Sequence, residues 1–199
     1  MKIENVVRFA EFLNRFSAIK RNVTLSSTGE RENDAEHSFQ VALVSWQIAE
    51  GLKLSLDIGL LLKYALVHDL VEVYAGDTDP FISPKEYIAS KDAREEESRL
   101  RIQNEFSSFT SLHKVIASYK TLSDDESKLV HLVDKMLSDI NTVLSSDPYY
   151  TANRVTREAW RTWIDAKIQK AHIDNKDVST FVETFLSYVE KSVTFSPTL

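Results

Sequence analysis

Histidine and aspartate residues stand in this sequence where they could bind a metal ion together. His68 and Asp69 form an adjacent pair, His37 precedes them, and Asp134 lies in a distant apolar segment. An all-helical protein builds a metal site from imidazole and carboxylate groups on separate helices, so this set suits one divalent ion. Because the sequence contains no cysteine, any metal site must use nitrogen and oxygen ligands. If the four side chains converge, they predict a metal-dependent hydrolase.

A further acidic residue follows the His-Asp pair at helical spacing. Glu72 lies four residues after His68 and therefore shares its face on a helix. A bound ion could activate water and accept a phosphoryl oxygen, and Glu72 could then act as a general acid or base. On an ideal helix, His68 and Asp69 point about 100° apart. Both can bind one ion only if it lies near that edge or if the helix is distorted there.

Each candidate ligand also has a purely structural interpretation. His37 lies near a helix N-terminus, where it could simply be exposed, and the His-Asp pair could form a buried hydrogen bond. Asp134 borders an apolar stripe and could be a solvated edge residue, with His131 and Asp139 as rivals on the same segment. The joint order and spacing of the four favours the metal site over these alternatives.

The composition indicates a well-solvated helical protein. Apolar residues make up 43% and charged residues 27%, and four glycines and four prolines leave few breaks between helices. The net charge of -6 argues against a nucleic-acid polymer as a partner. No apolar run approaches the roughly 18 residues needed to span a membrane, and the N-terminus does not resemble a signal peptide. We therefore expect no membrane partner and a cytoplasmic location.

Periodic apolar residues and capping signals predict an all-α domain of about six to seven helices, with no strand and no repeat. Helices are expected over about 1–21, 33–51, 55–76, 83–120 and 176–192. Another should open at the capping box Ser123-x-x-Glu126 and carry Asp134, and one more should begin at Asp147-Pro148. The polar stretch 24–32 is expected to be a surface loop. Trp160 and Trp163 are interpreted as core or interface anchors.

The motifs resemble those of the HD-domain superfamily of metal-dependent phosphohydrolases. Its signature is a histidine, then His-Asp, then a distant aspartate. Within it, Ala35-Glu36-His37-Ser38 and His68-Asp69-x-x-Glu72-x-x-x-Gly76-Asp77 resemble the bacterial 5′-deoxynucleotidases, as do Asn14-Arg15-Phe16 and Arg21-Asn22-Val23. The resemblance covers about residues 9–144, and helices over about 147–192 are expected to pack on that core. The chain 1–199 is therefore predicted to be a single HD domain.

This resemblance implies roles for individual residues. One divalent ion (Mn, Co, Fe, Ni, Zn or Mg) would be bound by His37, His68, Asp69 and Asp134. Proton transfer would fall to Glu72, and Asp77 would contact the sugar or assist catalysis. The family also implies a homodimer.

The resemblance places substrate-binding residues near the N-terminus as well. Arg15 would hold the 5′-phosphate and Phe16 would lie near the sugar, with Arg21 as a further candidate. A guanidinium group can bind a phosphomonoester through two parallel hydrogen bonds. The alternative for both arginines is a solvated basic helix face, and for Phe16 a place in the core. Asp77, which follows Gly76, could equally be a turn residue.

The function implied is that of a phosphomonoesterase acting on nucleoside 5′-monophosphates, with the deoxy forms included. Two alternatives remain open. One is hydrolysis of a phosphodiester or pyrophosphate, although Val73 after Glu72 lacks the consecutive Glu-Asp pair expected of alarmone hydrolases. The other is a catalytically silent protein that binds metal or nucleotide, although such a protein has no need of Glu72 as a proton carrier. In each case the partner is a small molecule.

Overall fold

The computed structural model describes residues 2–198 and confirms an all-α fold with one small hairpin. The helical segments and strands, in chain order, are α1 (Ile3–Phe16), β1 (Lys20–Thr24), β2 (Arg31–Asn33), α2 (Asp34–Gly51), α3 (Ile58–Val67), α4 (Glu72–Ala75), α5 (Lys85–Ala89), α6 (Lys91–Glu105), α7 (Thr110–Thr121), α8 (Asp125–Ser145), α9 (Tyr149–Ala152), α10 (Arg157–Lys170) and α11 (Lys176–Ser192). These are more segments than the six or seven predicted, because some predicted helices are broken. Within the described residues, no helix is long and apolar enough to cross a membrane.

The N-terminal region differs most from the prediction. The first helix ends at Phe16 and does not reach Arg21, and the expected surface loop contributes to an antiparallel hairpin in which Lys20 pairs with Asn33. The physical reason is tertiary. Arg21 on β1 and Glu32 on β2 are both buried, with Nε and Oε2 3.5 Å apart, and this ion pair joins the two strands. A local pattern of polar residues cannot predict such a contact between two strands.

Capping explains where the helix that carries His37 begins. The Asn33 side chain accepts hydrogen bonds from the backbone N–H groups of Ala35 and Glu36, each at 3.0 Å. Glu36 Oε2 accepts a hydrogen bond in return from the Asn33 backbone N–H at 2.9 Å. This capping box is the one predicted from the sequence, and it fixes His37 in the first turn of α2.

Other predicted helix boundaries were wrong. The helix expected over 83–120 is divided into α5, α6 and α7. The predicted cap of α8 is also displaced by one residue, since Asp124 accepts the hydrogen bond from the Ser127 N–H at 2.8 Å. Likewise, Asp57 caps α3 by accepting from the Leu60 N–H at 3.0 Å. A carboxylate is at least as good an N-cap as a serine hydroxyl.

The helix expected over 55–76 breaks at the His-Asp pair itself. The segment between α3 and α4 makes tight turns, with hydrogen bonds from the Leu70 N–H to Val67 O at 3.1 Å and from the Glu72 N–H to Asp69 O at 2.8 Å. These bonds span three residues and not the four of an α-helix. The chain is therefore distorted at the point where two adjacent side chains must share one ion.

Two clusters of apolar side chains form the interior. The larger lies around α8, which contacts α2, α3, β1, α10 and α11, and it includes the fully buried Trp160. The smaller packs α1 against the chain around α4, α6 and α7. Val115 packs against both clusters. Since α8 touches so many elements, Asp134 on its buried face can meet residues from either end of the chain.

Candidate metal centre

The structure brings together the four residues that the sequence singled out as metal ligands. His37 comes from α2, His68 and Asp69 from the turn after α3, and Asp134 from α8. One ligand atom from each lies within 4.8 Å of the others. His37 Nε2 is 3.1 Å from Asp134 Oδ1, and His68 Nε2 is 3.1 Å from Asp69 Oδ2. Two imidazoles and two carboxylates converge as one potential ligand set.

The hydrogen bonding of His68 shows that this set fits a cation. Its Nδ1–H donates to the backbone oxygen of Ala65 at 2.8 Å, so Nε2 is the nitrogen left to bind a proton or a metal ion. That Nε2 is buried without a hydrogen-bond partner and faces Asp69 and Asp134. Burial lowers the pKa of His68, but the two carboxylates outweigh it and raise the pKa above its ordinary value. A lone pair facing two carboxylates requires a proton or a metal ion between them.

A residue that the sequence analysis missed lies behind the other imidazole. Glu32 Oε2 lies 3.2 Å from His37 Nδ1, and both side chains are fully buried. The amide of Asn141 donates to Glu32 Oε1 at 3.1 Å. A carboxylate behind a ligating imidazole sets the ring tautomer and its direction. No local signal pointed to Glu32, because its polar surroundings in the sequence resemble a loop.

Arg21 supplies positive charge inside the same cluster. Its Nη1 donates to Asp69 Oδ2 at 2.9 Å and lies 3.5 Å from Asp34 Oδ1, while Nη2 lies 3.9 Å from Asp134 Oδ1. Burial lowers the pKa of Arg21, but Asp69, Glu72 and Asp134 together raise it well above its ordinary value. The guanidinium therefore stays charged and offsets part of the carboxylate charge. Its predicted contact with substrate stays a prediction.

Carboxylates around Asp69 differ sharply in their affinity for protons. Burial opposes ionisation of Asp69, but the charge of His68 and a hydrogen bond to it hold its pKa below the ordinary value. Burial and the neighbouring charges of Asp69 and Asp77 raise the pKa of Glu72 well above its ordinary value. Burial and Asp69 also raise the pKa of Asp34 to about 7. In this arrangement Glu72 binds a proton more readily than Asp69 does.

A glycine turn brings Asp77 to the site. Gly76 has φ of 74° and ψ of 150°, and a Cβ there would lie 2.6 Å from the hydroxyl oxygen of Tyr87. This backbone region is accessible essentially to glycine alone. Tyr87 donates to the backbone oxygen of Ala75 at 2.9 Å, which holds the turn. Asp77 thus lines the cavity beside the cluster.

That cavity has a volume of about 280 Å³ and combines three kinds of lining. The charged residues at the cluster are Arg21, Asp69, Glu72 and Asp77. The lysines are Lys91, Lys135 and Lys167. The aromatic residues are Phe81, Tyr149, Tyr150 and Trp163. Charged and flat apolar groups therefore border one space, which suits a ligand that carries both.

Two residues predicted to bind substrate lie elsewhere. The Arg15 side chain is 52% exposed, donates to the Tyr74 hydroxyl at 3.0 Å and lies 3.9 Å from Glu105 Oε2. Phe16 is buried in the smaller apolar cluster with Phe12. Neither Arg15 nor Phe16 lines the cavity. Both positions follow from the packing of α1, which ends at Phe16 and buries its aromatic face in the smaller cluster.

The rival ligands lie outside the cluster of four, although Asp139 lines the same cavity. The Asp139 carboxylate accepts hydrogen bonds from the Tyr150 hydroxyl and, at 3.0 Å, from Trp160 Nε1. Burial raises the pKa of Asp139 to about 7. The half-buried His131, whose Nε2 is enclosed, does not belong to the cluster. Trp163, interpreted earlier as an anchor, lines the cavity with its ring centre 5.5 Å from that of Phe81.

Comparison with known proteins agrees with this architecture. The chain is similar over 98% of its length to a predicted metal-dependent phosphohydrolase from Magnetospirillum magnetotacticum MS-1, with 96% of that chain covered, 21% identity and a TM-score of 0.78. It is also similar to the PH0347 protein of Pyrococcus horikoshii OT3, with 24% identity, a TM-score of 0.61 and 96% and 99% of the two chains covered. A conserved hypothetical protein from Pyrococcus furiosus shares 19% identity over the same fractions, with a TM-score of 0.62.

Two further comparisons used the amino-acid sequence alone. None of the curated proteins matches the chain. The family model of the HD domain, however, matches residues 13–175, which include both histidines and both aspartates of the cluster. The chain therefore belongs to the HD-domain family, as the order of these four residues predicted.

Proposed function

We propose that this HD-domain protein is a metal-dependent phosphohydrolase that releases phosphate from nucleoside 5′-monophosphates, deoxyribonucleotides among them. The observation that carries the proposal is one cavity bordered by Asp69 of the His-Asp cluster, by Glu72 and Asp77, and by aromatic rings. A phosphate ester of a flat heterocyclic nucleoside has the matching chemistry. The similar structure from Magnetospirillum, described as a predicted metal-dependent phosphohydrolase, supports the reaction class.

The ligand set would hold one divalent ion through His37, His68, Asp69 and Asp134. Two imidazoles and two carboxylates suit several ions, so Mn, Co, Fe, Ni, Zn and Mg all remain candidates. When bound, the ion would polarise a phosphoryl oxygen and lower the pKa of a coordinated water.

Residues of this chain would then handle charge and protons. Glu72, whose pKa its surroundings raise, would give a proton to the ester oxygen of the departing nucleoside. Arg21 would offset the carboxylates that otherwise repel a phosphate dianion. Asp77, at the cavity wall, would accept a hydrogen bond from a sugar hydroxyl.

The aromatic part of the cavity would receive the nucleobase. Phe81 and Trp163 meet at an angle of 61°, and the Tyr149 hydroxyl donates to both Asp79 oxygens at 2.8 and 2.7 Å. These contacts hold the rings in defined positions, and a heterocycle can stack on or edge against them. The same wall does not select a particular base.

The test is a phosphate-release assay on protein stripped of metal with a chelator. Ribo- and deoxyribonucleoside 5′- and 3′-monophosphates are compared after addition of Mn, Co, Mg or Zn, with phosphodiesters and pyrophosphates beside them. Asp69→Asn is the inactive variant, and Asp92→Asn, exposed on α6, is its matched control. We expect metal-restored release from 5′-monophosphates by wild type and Asp92→Asn only. Turnover confined to diesters or pyrophosphates, or binding without turnover, would favour the corresponding alternative.

A homodimer and a cytoplasmic location complete the proposal. Phe39, Leu43 and Trp46 are exposed at helical spacing along one face of α2, and such an apolar face would suit an interface between two copies. Sedimentation of the wild type and of Leu43→Glu tests this: a dimer that the substitution converts to monomer is expected. A wild-type monomer would contradict it.

A further inference from the structure

Three lysines from separate elements reach the cavity beside the His-Asp cluster. Lys91 begins α6, Lys135 follows Asp134 on α8, and Lys167 lies on α10. The Lys135 ammonium is 2.6 Å from Asp134 Oδ2, and the Lys91 ammonium is 3.3 Å from Glu95 Oε1. Within residues 2–198, Lys167 has no ion-pair partner. The helices over 147–192 therefore contribute a charge to a site that the sequence analysis confined to residues 9–144.

The three ammonium groups affect one another. Burial and the positive charges of Lys135 and Lys91 lower the pKa of Lys167. Neighbouring carboxylates, Glu72 first among them, outweigh burial and raise the pKa of Lys91. Lys91 is thus tied to the acidic cluster, whereas burial and the neighbouring lysines outweigh Asp134 at Lys167. A multiply charged anion in the cavity would relieve this repulsion.

A phosphate ester in the cavity meets several carboxylates beside the cluster. Asp69, Glu72 and Asp77 line the cavity, and Arg21 is already engaged by buried carboxylates. Approach of a dianion to such a surface is unfavourable unless cations face it from another side. The lysines on α6, α8 and α10 are cations in that position.

The position of Lys167 on its helix links the cations to the aromatic wall. Trp163 and Lys167 are four residues apart on α10 and share one face, and both line the cavity. Trp163 in turn contacts Phe81. A ligand with its flat group against Trp163 therefore has a cation one helical turn away.

We propose that Lys91, Lys135 and Lys167 form the anion-binding wall that holds the substrate phosphate beside the metal cluster. The identity of the ligand as a phosphate ester rests on the proposed function. Lys167 is the decisive member, because it has no structural ion pair to lose, and its contribution is binding of the anion and not proton transfer.

The experiment measures phosphate binding and hydrolysis on the same variants. Inorganic phosphate is titrated calorimetrically into wild type, Lys167→Met, Lys167→Arg and Lys170→Met at low salt, with and without Mn²⁺. Lys170 lies on the same helix but is exposed and does not line the cavity, which makes it the matched control. We expect Lys167→Met to weaken phosphate binding about tenfold, the size of one lost charge-assisted hydrogen bond. Lys167→Arg should stay within about threefold of wild type, and Lys170→Met should match it. Circular dichroism and thermal unfolding verify that each variant folds.

Hydrolysis separates this inference from the proposed function. With an active 5′-monophosphate, Lys167→Met should raise KM about tenfold and change kcat by less than about threefold, since uniform binding is lost. Phosphate binding that depends on Lys167, without release from any monophosphate, would retain the anion site and overturn the proposed function. Equal phosphate affinity and equal KM in Lys167→Met and wild type would overturn the anion site.

Discussion

Glu32 Oε2 lies 3.2 Å from Nδ1 of His37, and neither side chain is exposed to solvent. The contact joins the hairpin to the first turn of α2 and points the other ring nitrogen at Asp134. The candidate metal centre therefore has a carboxylate behind one imidazole and a backbone carbonyl, that of Ala65, behind the other.

The first prediction concerns Glu32→Gln. The substitution keeps the size of the side chain but removes the charge that favours the Nδ1–H tautomer of His37, so affinity for Mn²⁺ should fall about 10–100-fold. Competition with a chromophoric chelator measures it. Glu30→Gln, exposed in the same hairpin, should bind as wild type does. Unchanged affinity in Glu32→Gln would show that the contact does not orient a ligand.

Metal binding should stabilise the fold. The ligand atoms come from α2, the turn after α3, and α8, so an ion that binds only the folded chain shifts unfolding by mass action. At 100 times its dissociation constant the gain is about 2.7 kcal/mol, or roughly 5–10 °C in Tm for a chain of this size. Differential scanning fluorimetry with and without Mn²⁺ is the measurement. In Asp134→Asn, Mn²⁺ should no longer raise the Tm. If Mn²⁺ raised the Tm of this variant as much as that of the wild type, Asp134 would not be a ligand.

Glu72→Gln tests the proton donor of the proposed reaction. An amide cannot give a proton to the leaving oxygen, so kcat should drop at least about 100-fold, while Mn²⁺ affinity stays within a few-fold of wild type. Steady-state kinetics and metal titration are run together. Glu97→Gln, exposed on α6, serves as control. Retention of kcat would assign proton transfer to another group.

Asp139 should make stability depend on pH. Burial raises its pKa to about 7 in the folded protein, against about 3.9 in an unfolded chain. Its contribution is fully present below the unfolded value and is lost as pH rises through 7, by up to about 4 kcal/mol. Asp139→Asn is neutral at both pH values, and its amide can accept from Trp160 Nε1–H while donating to the Tyr150 hydroxyl oxygen.

Urea unfolding at pH 5 and pH 8 provides the measurement for Asp139. The wild type should lose more stability than Asp139→Asn between the two values, whereas Asp174→Asn, an exposed change, should follow the wild type. Parallel losses in wild type and Asp139→Asn would mean that the carboxyl does not titrate in this range. Taking differences between variants cancels the contribution of all other groups.

Gly76→Ala should disturb the turn that leads to Asp77. The backbone conformation at Gly76 costs about 1–3 kcal/mol for a residue with a Cβ, and the new methyl group would meet Tyr87. Lower stability in urea and a lower kcat are both expected. Gly51→Ala, where the methyl group meets nothing within 4 Å, should be neutral or slightly stabilising. A fully stable and active Gly76→Ala would mean that the turn adapts.

The HD-domain assignment was predictable because the features that carry it are local. The order of His37, His68, Asp69 and Asp134 follows from chain position alone, and a capping box such as that of Asn33 is set within one helical turn. Helix periodicity likewise predicted an all-α fold, although Ser90 and the turn at the His-Asp pair break helices that periodicity alone would join.

The sequence by itself determined the family, the candidate ligands and the helical class, because these depend on residue type and short-range spacing. Only the tertiary structure decided that Arg21 and Glu32 pair inside a hairpin, that Arg15 does not line the cavity, and that Lys167 does. Each of these depends on a contact between residues far apart in the chain or on the direction of a packed helix. Such contacts arise from burial and charge pairing across elements, which no local pattern encodes.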